Sequence, residues 1–210
     1  MNVNKYLRSI SILSAAVAIV TFCTLLLLAI MAYPGPFSPF TNYLSDLGSS
    51  KLNPSGAILF NAACWIAGAM TILFFAGLGS WRTDGRVKLT IARLLGAFSG
   101  LALILVGVFP EDYGRLHTIV AGAFFISLTL AIVATGFALW KGRDFLRPIG
   151  YYGILVGIFS LIYLASYLAG YPILITEWIT VMGAMGWMGL VAYNMARLPK
   201  AGEGTGALIT

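Results

Sequence analysis

Six apolar runs, each long enough to cross a lipid bilayer, divide this chain of 210 residues. They cover about residues 9–32, 55–79, 89–109, 116–140, 148–170 and 172–195. A helix of about 20 apolar residues spans the hydrocarbon layer. Only 10% of the residues are charged, against about 25% in soluble domains. The sequence therefore predicts an all-α integral membrane fold, a single six-helix bundle over residues 1–200 with a disordered cytoplasmic tail over 201–210.

The first run is expected to be a retained span, although Lys5 and Arg8 precede it as in a signal peptide. Its apolar core, about residues 9–32, is longer than the roughly 7–15 residues of a signal peptide, and "AIMAYP" is a poor cleavage site. The two cysteines, Cys23 and Cys64, both lie in apolar runs. We therefore expect two small buried side chains and no disulfide framework.

The basic residues lie almost entirely on one side of the predicted membrane. Eleven of the 13 flank the first span, the second and fourth connections or the end of the last span, and only Lys51 and Arg115 lie opposite. This pattern predicts that both termini are cytoplasmic and that the protein resides in the plasma membrane. The net charge of +6 would then attract anionic lipid headgroups, so the expected partners are membrane lipids and not nucleic acid.

The first connection, about residues 33–54, is the only connection long enough to have structure of its own. Ser38 and Pro39 are a helix-start signal, and Gly48 is expected to be a left-handed stop. Between them, one helical face is apolar (Phe40, Tyr43, Leu44, Leu47) and the other polar (Asn42, Ser45, Asp46). The stretch predicts a short amphipathic helix at the outer interface. Asn53 and Pro54 are expected to form the cap and first turn of the second span.

Groups capable of acid–base or metal chemistry are concentrated on the predicted outer side. Glu177 lies about one and a half turns inside the last span, where an ionisable group is costly and marks a functional site by default. His117, the only histidine, begins the fourth span, and Asp46 lies in the first connection. Other polar groups at similar height complete a candidate ligand-binding set: Asn42, Asn61, Asp112, Tyr163, Ser166 and Tyr167. Asp112 has a structural alternative as the N-cap of the fourth span.

These groups leave several functions open. Asp46, His117 and Glu177 have the ligand types for a divalent metal and the groups for general acid–base catalysis. Ser45 would be a nucleophile only with His117 in hydrogen-bond reach, and a haem with two histidine ligands is excluded by the single histidine. The protein is therefore expected to bind a lipid or other amphiphile in an outer pocket; a hydrolase or acyltransferase using His117 with Asp46 or Glu177, and a proton-coupled transporter, are the alternatives. Small-residue spacings such as Gly96 and Gly100 favour packing within the bundle and leave a homo-oligomer open.

Two stretches resemble known families. "PFSPFTNYLSDLGSSKLNPSGAILFNAACWIAGAM" is similar to the first outer loop and second span of an uncharacterised prokaryotic six-span family, domain of unknown function 998. It also resembles the Frag1/DRAM/Sfk1 family, and "FPEDYGRLHTIVAGAFF" resembles the start of the fourth span in both. The first likeness implies a bacterial or archaeal protein of no established activity, and the second implies lipid as the ligand class. The residues that match the shared pattern are Ser45, Asp46, Gly48, Asn61 and His117.

Overall fold

The computed structural model describes residues 3–198, and within them six helices are long and apolar enough to cross a membrane. They are α1 (Val3–Met31), α2 (Ala57–Gly77), α3 (Arg86–Val108), α4 (Arg115–Leu139), α5 (Arg147–Leu168) and α6 (Leu174–Ala196). Each predicted span overlaps one helix, and the described residues contain no strand. The predicted all-α six-helix membrane fold is therefore confirmed. The predicted tail, 201–210, lies outside the described residues.

The helices form a ring in chain order. Short connections make consecutive helices antiparallel neighbours, and α1 contacts α6 to close the ring. The Arg8 guanidinium, near the start of α1, donates to the carbonyls of Ala196 and Leu198 at 2.9 and 2.7 Å. The start of α1 and the end of α6 therefore lie at the same end of the bundle.

The two ends of the ring differ in charge, and we name them accordingly. The acidic end consists of the connections 32–56, 109–114 and 169–173 with the adjoining helix termini, and it carries Asp46, Glu111, Asp112 and Glu177. The basic end consists of the connections 78–85 and 140–146 together with the start of α1 and the end of α6.

Close helix contacts inside the ring depend on glycine. A Cβ added to Gly68 would lie 2.5 Å from the carbonyl oxygen of Gly100, and one added to Gly100 would lie 2.6 Å from that of Gly68. The Phe75 ring occupies the space over Gly96, and Trp187, only 1% exposed, stacks on Phe75 with 6.2 Å between ring centroids. The Gly96 and Gly100 spacing thus serves contacts within the bundle.

The first connection differs from the predicted amphipathic helix. The chain turns after Ser38, whose carbonyl accepts from the amides of Thr41 and Asn42. It then breaks at Tyr43 and resumes as a single 3-10 turn over Ser45–Gly48. The break has a local cause: the Asp46 carboxylate accepts from the Tyr43 amide at 3.1 Å, and such side-chain bonds compete with helical ones.

Two further expectations about this connection need correction. Gly48 is not a left-handed stop, because positive φ occurs within residues 3–198 only at Gly35, Gly114 and Gly170. Glycine is needed at position 48 because a Cβ would lie 2.6 Å from Asn61 Oδ1. Asn53 is not the N-cap of α2, which begins at Ala57; its Oδ1 instead accepts from the Gly56 amide at 3.1 Å and shapes the turn before the helix.

Candidate functional site

A narrow cavity of about 50 Å³ lies inside the ring and reaches the acidic end. Ser45, His117 and Glu177 contribute polar side chains there, and the remaining wall is mainly apolar and aromatic. Along α6 the lining runs from Glu177 to Met188, about 16 Å at 1.5 Å per residue. That depth is roughly half of the ~30 Å hydrocarbon layer. The cavity is therefore long and thin, with its carboxylate and imidazole near one end.

Glu177 holds the first connection over this cavity. Its side chain is 4% exposed, and Oε2 accepts from the Leu44 amide at 2.9 Å. The neighbouring Trp178 indole donates to the Asn42 carbonyl at 3.2 Å. Lys51 and Arg115, the basic residues at this end, are both exposed. A backbone amide therefore compensates for the burial of the carboxylate.

His117 faces the same cavity but is fixed by a different partner. Its Nδ1 donates to the Phe109 carbonyl at 2.9 Å. Because a carbonyl only accepts, the neutral ring carries its proton on Nδ1, and Nε2 remains an acceptor. Within residues 3–198, no hydrogen bond joins His117 to Ser45, Asp46 or Glu177. The serine–histidine pair that an acyl-transfer site requires is not formed in this structure.

Asp46 belongs to the connection itself. Its Oδ2 accepts from the Asn42 side-chain amide at 3.3 Å and from the Tyr43 amide at 3.1 Å. The predicted polar set of Asn42, Ser45 and Asp46 is thus directed into the acidic end: Asp46 is buried, and the other two are half-buried.

Glu111 is not among the predicted site residues, yet it lies beside Asp46. Burial, a hydrogen bond with Asp46 and the charges of Asp46 and Asp112 raise the pKa of Glu111 to about 7. The Oε2 atom of Glu111 is buried and has no hydrogen-bond partner among the described residues. When protonated, Glu111 can donate to Asp46. The two residues belong to different connections, so no sequence pattern indicates their contact.

Asp112 is not the N-cap of the fourth span. Gly114, at φ 53°, precedes α4, and no side chain caps that helix. Asp112 instead accepts from the Ser49 hydroxyl at 2.6 Å and from the Ser50 amide and hydroxyl, each at 2.7 Å. Burial alone would raise the pKa of Asp112, but these hydrogen bonds outweigh it and lower the pKa. Asp112 therefore joins two connections of the acidic end.

The amide predicted in the second span also contacts the first connection. Asn61 Nδ2 donates to the Gly48 carbonyl at 3.1 Å. Its Oδ1 is buried and has no hydrogen-bond partner within the described part of the chain. Asn61 thus anchors the 3-10 turn to α2.

The predicted hydroxyl groups of α5 do not line the cavity. The Ser166 hydroxyl donates to the Tyr163 carbonyl at 2.9 Å and accepts from the Ile173 amide at 3.1 Å, which shapes the turn between α5 and α6. Tyr167 lies 3.2 Å from the Thr118 hydroxyl and connects α5 to α4. The Tyr163 ring packs on Phe125 at 5.0 Å between centroids.

The predicted metal ligands do not form a metal site. Among residues 3–198, no three His, Cys, Asp or Glu side chains are close enough to hold one ion. Each of the three is instead bound to the backbone: Asp46 accepts from the Tyr43 amide, His117 donates to the Phe109 carbonyl and Glu177 accepts from the Leu44 amide.

Six membrane-spanning helices and a buried polar cluster at one end define a multi-pass membrane protein. The chain belongs to the family described as Protein of unknown function (DUF998), whose model matches residues 16–194. The predicted membership of domain of unknown function 998 is therefore confirmed, and the matched region contains every residue that lines the cavity. No curated protein and no solved structure matches the chain, so the likeness to the Frag1/DRAM/Sfk1 family stays an expectation from sequence.

Proposed function

We propose that the protein binds a membrane lipid or another amphiphile in the cavity at the acidic end. The polar group of the ligand would lie beside Ser45, His117 and Glu177, and an alkyl chain would extend toward Met185 and Met188. One observation carries this proposal: a single cavity combines polar side chains near the bundle end with a deep apolar wall.

The size of the cavity limits the ligand. A volume of about 50 Å³ holds about four water-sized groups, at 10–15 Å³ each. That is room for part of one alkyl chain and not for a whole diacyl lipid. The ligand is therefore an amphiphile with one short, slim chain, or a lipid that inserts part of one chain and leaves the rest in the bilayer.

Recognition would depend on the polar group of the ligand. An alkyl chain that leaves the bilayer exchanges one apolar environment for another, so its burial contributes little net free energy. His117 Nε2 is an acceptor, and the Glu177 carboxyl has a second oxygen beside the one that bonds to Leu44. The Ser45 hydroxyl can donate or accept. This acceptor-rich set favours headgroups that donate hydrogen bonds, such as hydroxyl or ammonium groups.

Mass spectrometry of lipids that copurify with the protein tests the proposal. Ala184 lines the cavity and Ala16 is exposed on α1, so Ala184→Leu fills the cavity while Ala16→Leu is its matched control. We expect one lipid class to be enriched on the wild type and on Ala16→Leu, and to fall to its bulk-membrane share on Ala184→Leu. A wild-type profile identical to bulk membrane would contradict the proposal.

The orientation of His117 favours a second candidate function, a membrane hydrolase or acyltransferase. We rank this proposal after lipid binding. A histidine whose Nδ1 is fixed by a carbonyl presents Nε2 as a general base, and Ser45, which lines the same cavity, would become the nucleophile once its hydroxyl comes within hydrogen-bond reach of Nε2. A fluorophosphonate probe should then label the wild type, with labelling lost in both Ser45→Ala and His117→Ala. Absence of labelling in the wild type, in membranes where a control serine hydrolase reacts, would reject this candidate.

We also propose that the protein resides in the plasma membrane with its basic end in the cytoplasm. Support comes from the 11 basic residues on that side, with only Lys51 and Arg115 opposite. In intact cells, a membrane-impermeant maleimide should label Lys51→Cys and should not label Arg143→Cys until the cells are opened. The reverse pattern would overturn the orientation.

A further inference from the structure

An open groove of about 1740 Å³ lies at the basic end, separate from the cavity described above. Its walls are the 78–85 connection, the start of α3, the end of α4 with the connection after it, and the start of α5. One acidic side chain, Asp84, lines the groove against six basic ones: Arg82, Arg86, Lys88, Arg93, Lys141 and Arg143. The groove therefore has a strong excess of positive charge.

Five of the six basic groups keep their donors for a ligand. Arg93 donates to the carbonyls of Phe75 and Ala76 at 3.2 and 3.1 Å, and so completes the end of α2. The other five are exposed, and no hydrogen bond to another described residue engages them. Their role is therefore not explained by the fold.

The groove continues from this charged region onto an apolar wall. Phe137 of α4 and Ile154 of α5 line it and are 62% and 40% exposed. Between these residues and the cations lies an edge-to-face pair, Trp140 and Tyr151, with 5.1 Å between ring centroids. Tryptophan and tyrosine are enriched at the headgroup level of membranes. Such an order of cations, aromatic rings and apolar side chains is typical of a surface that extends from the headgroup layer into the hydrocarbon layer.

We propose that this groove is a binding site for an anionic phospholipid. The phosphate-bearing headgroup would lie among Arg82, Lys141 and Arg143, and one acyl chain would follow Phe137 and Ile154. Basic pockets between spanning helices are suited to such headgroups. A soluble phosphate would leave the apolar wall unused, and an acidic protein could not reach the part of the wall that faces lipid. The charge and the exposed apolar wall together therefore favour a lipid.

The test is lipid selectivity of the full chain reconstituted in phosphatidylcholine vesicles. The probe is about 1% spin-labelled phosphatidylglycerol, compared with spin-labelled phosphatidylcholine, and the readout is the fraction of lipid immobilised by the protein. Arg82→Gln/Lys141→Gln/Arg143→Gln removes three charges from the groove. Lys5→Gln/Arg147→Gln/Arg197→Gln removes three exposed charges from the same end outside the groove. A general attraction to the basic end would respond equally to both variants.

We expect the wild type and the control variant to prefer phosphatidylglycerol, and the groove variant to lose at least about fivefold in relative association. Fivefold corresponds to about 1 kcal/mol, the contribution of one basic residue near an anionic surface. Equal losses in the two variants, or no preference in the wild type, would overturn the proposal. Displacement of the lipid by millimolar inorganic phosphate would instead identify a soluble anion, and displacement by polyglutamate an acidic protein; either result would also overturn it.

Discussion

The two ends of the bundle manage charge in opposite ways. At the acidic end, Asp46 and Glu177 are buried, and their carboxylates accept from backbone amides of the first connection. At the basic end, Arg8 and Arg93 donate to carbonyls at the ends of α6 and α2, while five other cations remain exposed around an open groove. At the acidic end, the charged groups hold the first connection in place. At the basic end, five cations surround an open groove.

The difference follows from which backbone groups each end offers. Within residues 3–198 each end has three helix C-termini, but the long irregular connection lies at the acidic end, where its amides lack helical partners and suit carboxylates. The guanidinium groups of Arg8 and Arg93 bond to carbonyls at helix C-termini. A buried carboxylate requires such partners, so each acidic group also fixes part of the connection. Long basic side chains can reach water and need no partner. Substitutions should therefore cost more at the acidic end.

The largest effect is expected at Asn53, which is fully buried. Its Nδ2 donates to the carbonyls of Ala29 and Leu47, and its Oδ1 accepts from the Gly56 amide. Asn53→Leu leaves the two buried carbonyls unpaired, at about 1–3 kcal/mol each, while the Gly56 amide keeps its bond to the backbone carbonyl of residue 53, so we expect a loss of roughly 2 kcal/mol or more. Thermal unfolding in detergent measures it.

Asn194→Leu at the basic end is the matched control for that experiment. Asn194 Oδ1 accepts from the Leu146 amide and its Nδ2 donates to the Asp144 carbonyl, but both bonds are only partly buried, so water can replace them. We expect a clearly smaller fall in the thermal midpoint. Equal falls in the two variants would contradict the contrast between the ends.

A smaller effect is expected at Glu177, where two substitutions separate shape from charge. Glu177→Gln keeps an acceptor for the Leu44 amide, whereas Glu177→Leu leaves that amide unpaired at about 1–3 kcal/mol. We therefore expect the thermal midpoint to fall for Leu and to stay near the wild-type value for Gln. If Gln is as damaging as Leu, the charge itself holds the connection and the hydrogen-bond account is wrong.

The pH dependence of stability should expose Glu111. Its pKa is raised from 4.5 to about 7, so the folded protein retains a proton that the unfolded chain has released. This contribution is fully present below about pH 4.5 and is lost as pH rises through about 7. We expect the thermal midpoint to decline between about pH 5 and 8, and the decline to be reduced in Glu111→Gln.

Asp112→Asn controls for this measurement, because the pKa of Asp112 is lowered from 3.8 and its contribution is lost only as the solution becomes more acidic. It should therefore keep most of the slope between about pH 5 and 8, and reduce it only by the small part that the Asp112 charge contributes to the raised pKa of Glu111. An undiminished slope in Glu111→Gln would remove the assigned role of Glu111.

The smallest effects are expected from the groove cations. Arg82→Gln and Lys141→Gln should each change stability by less than about 0.5 kcal/mol, as is usual for surface positions. Arg93→Gln should cost about 1–2 kcal/mol, because it removes the guanidinium that donates to the carbonyls of Phe75 and Ala76. Comparable losses at Arg82 and Arg93, measured by thermal unfolding, would show that the exposed cations also hold the fold.

The membrane fold could be predicted from sequence because hydrophobicity and length alone determine the spans. Each predicted span overlaps one helix, although α1 begins at Val3, before the apolar run. The first connection could not be predicted in the same way. Its residues have helical spacing, but the Leu44 amide pairs with Glu177 and the Tyr43 amide with Asp46. A periodic pattern does not reveal partners about 130 residues away or a side chain that competes with the helix.

The site could be predicted only in part. The positions of His117 and Glu177 within their spans predicted that both lie at the same end of the bundle. Both residues line the cavity there. Neither the contact of Asp112 with Ser49 and Ser50 nor the position of Glu111 beside Asp46 has a sequence signal. These contacts join separate connections, and helix packing determines where the connections lie relative to one another.

Photocrosslinking of a lipid inside the bundle tests the central proposal most directly. Wild-type protein would be reconstituted with lipid that carries a diazirine near the chain end, irradiated, digested and sequenced by mass spectrometry. We predict modification of cavity-lining residues of α6, such as Val181 and Met185, in addition to the exposed Leu190. The modification at Val181 and Met185 should disappear in Ala184→Leu while that at Leu190 remains. Modification confined to exposed residues such as Leu190 in the wild type would contradict lipid binding in the cavity.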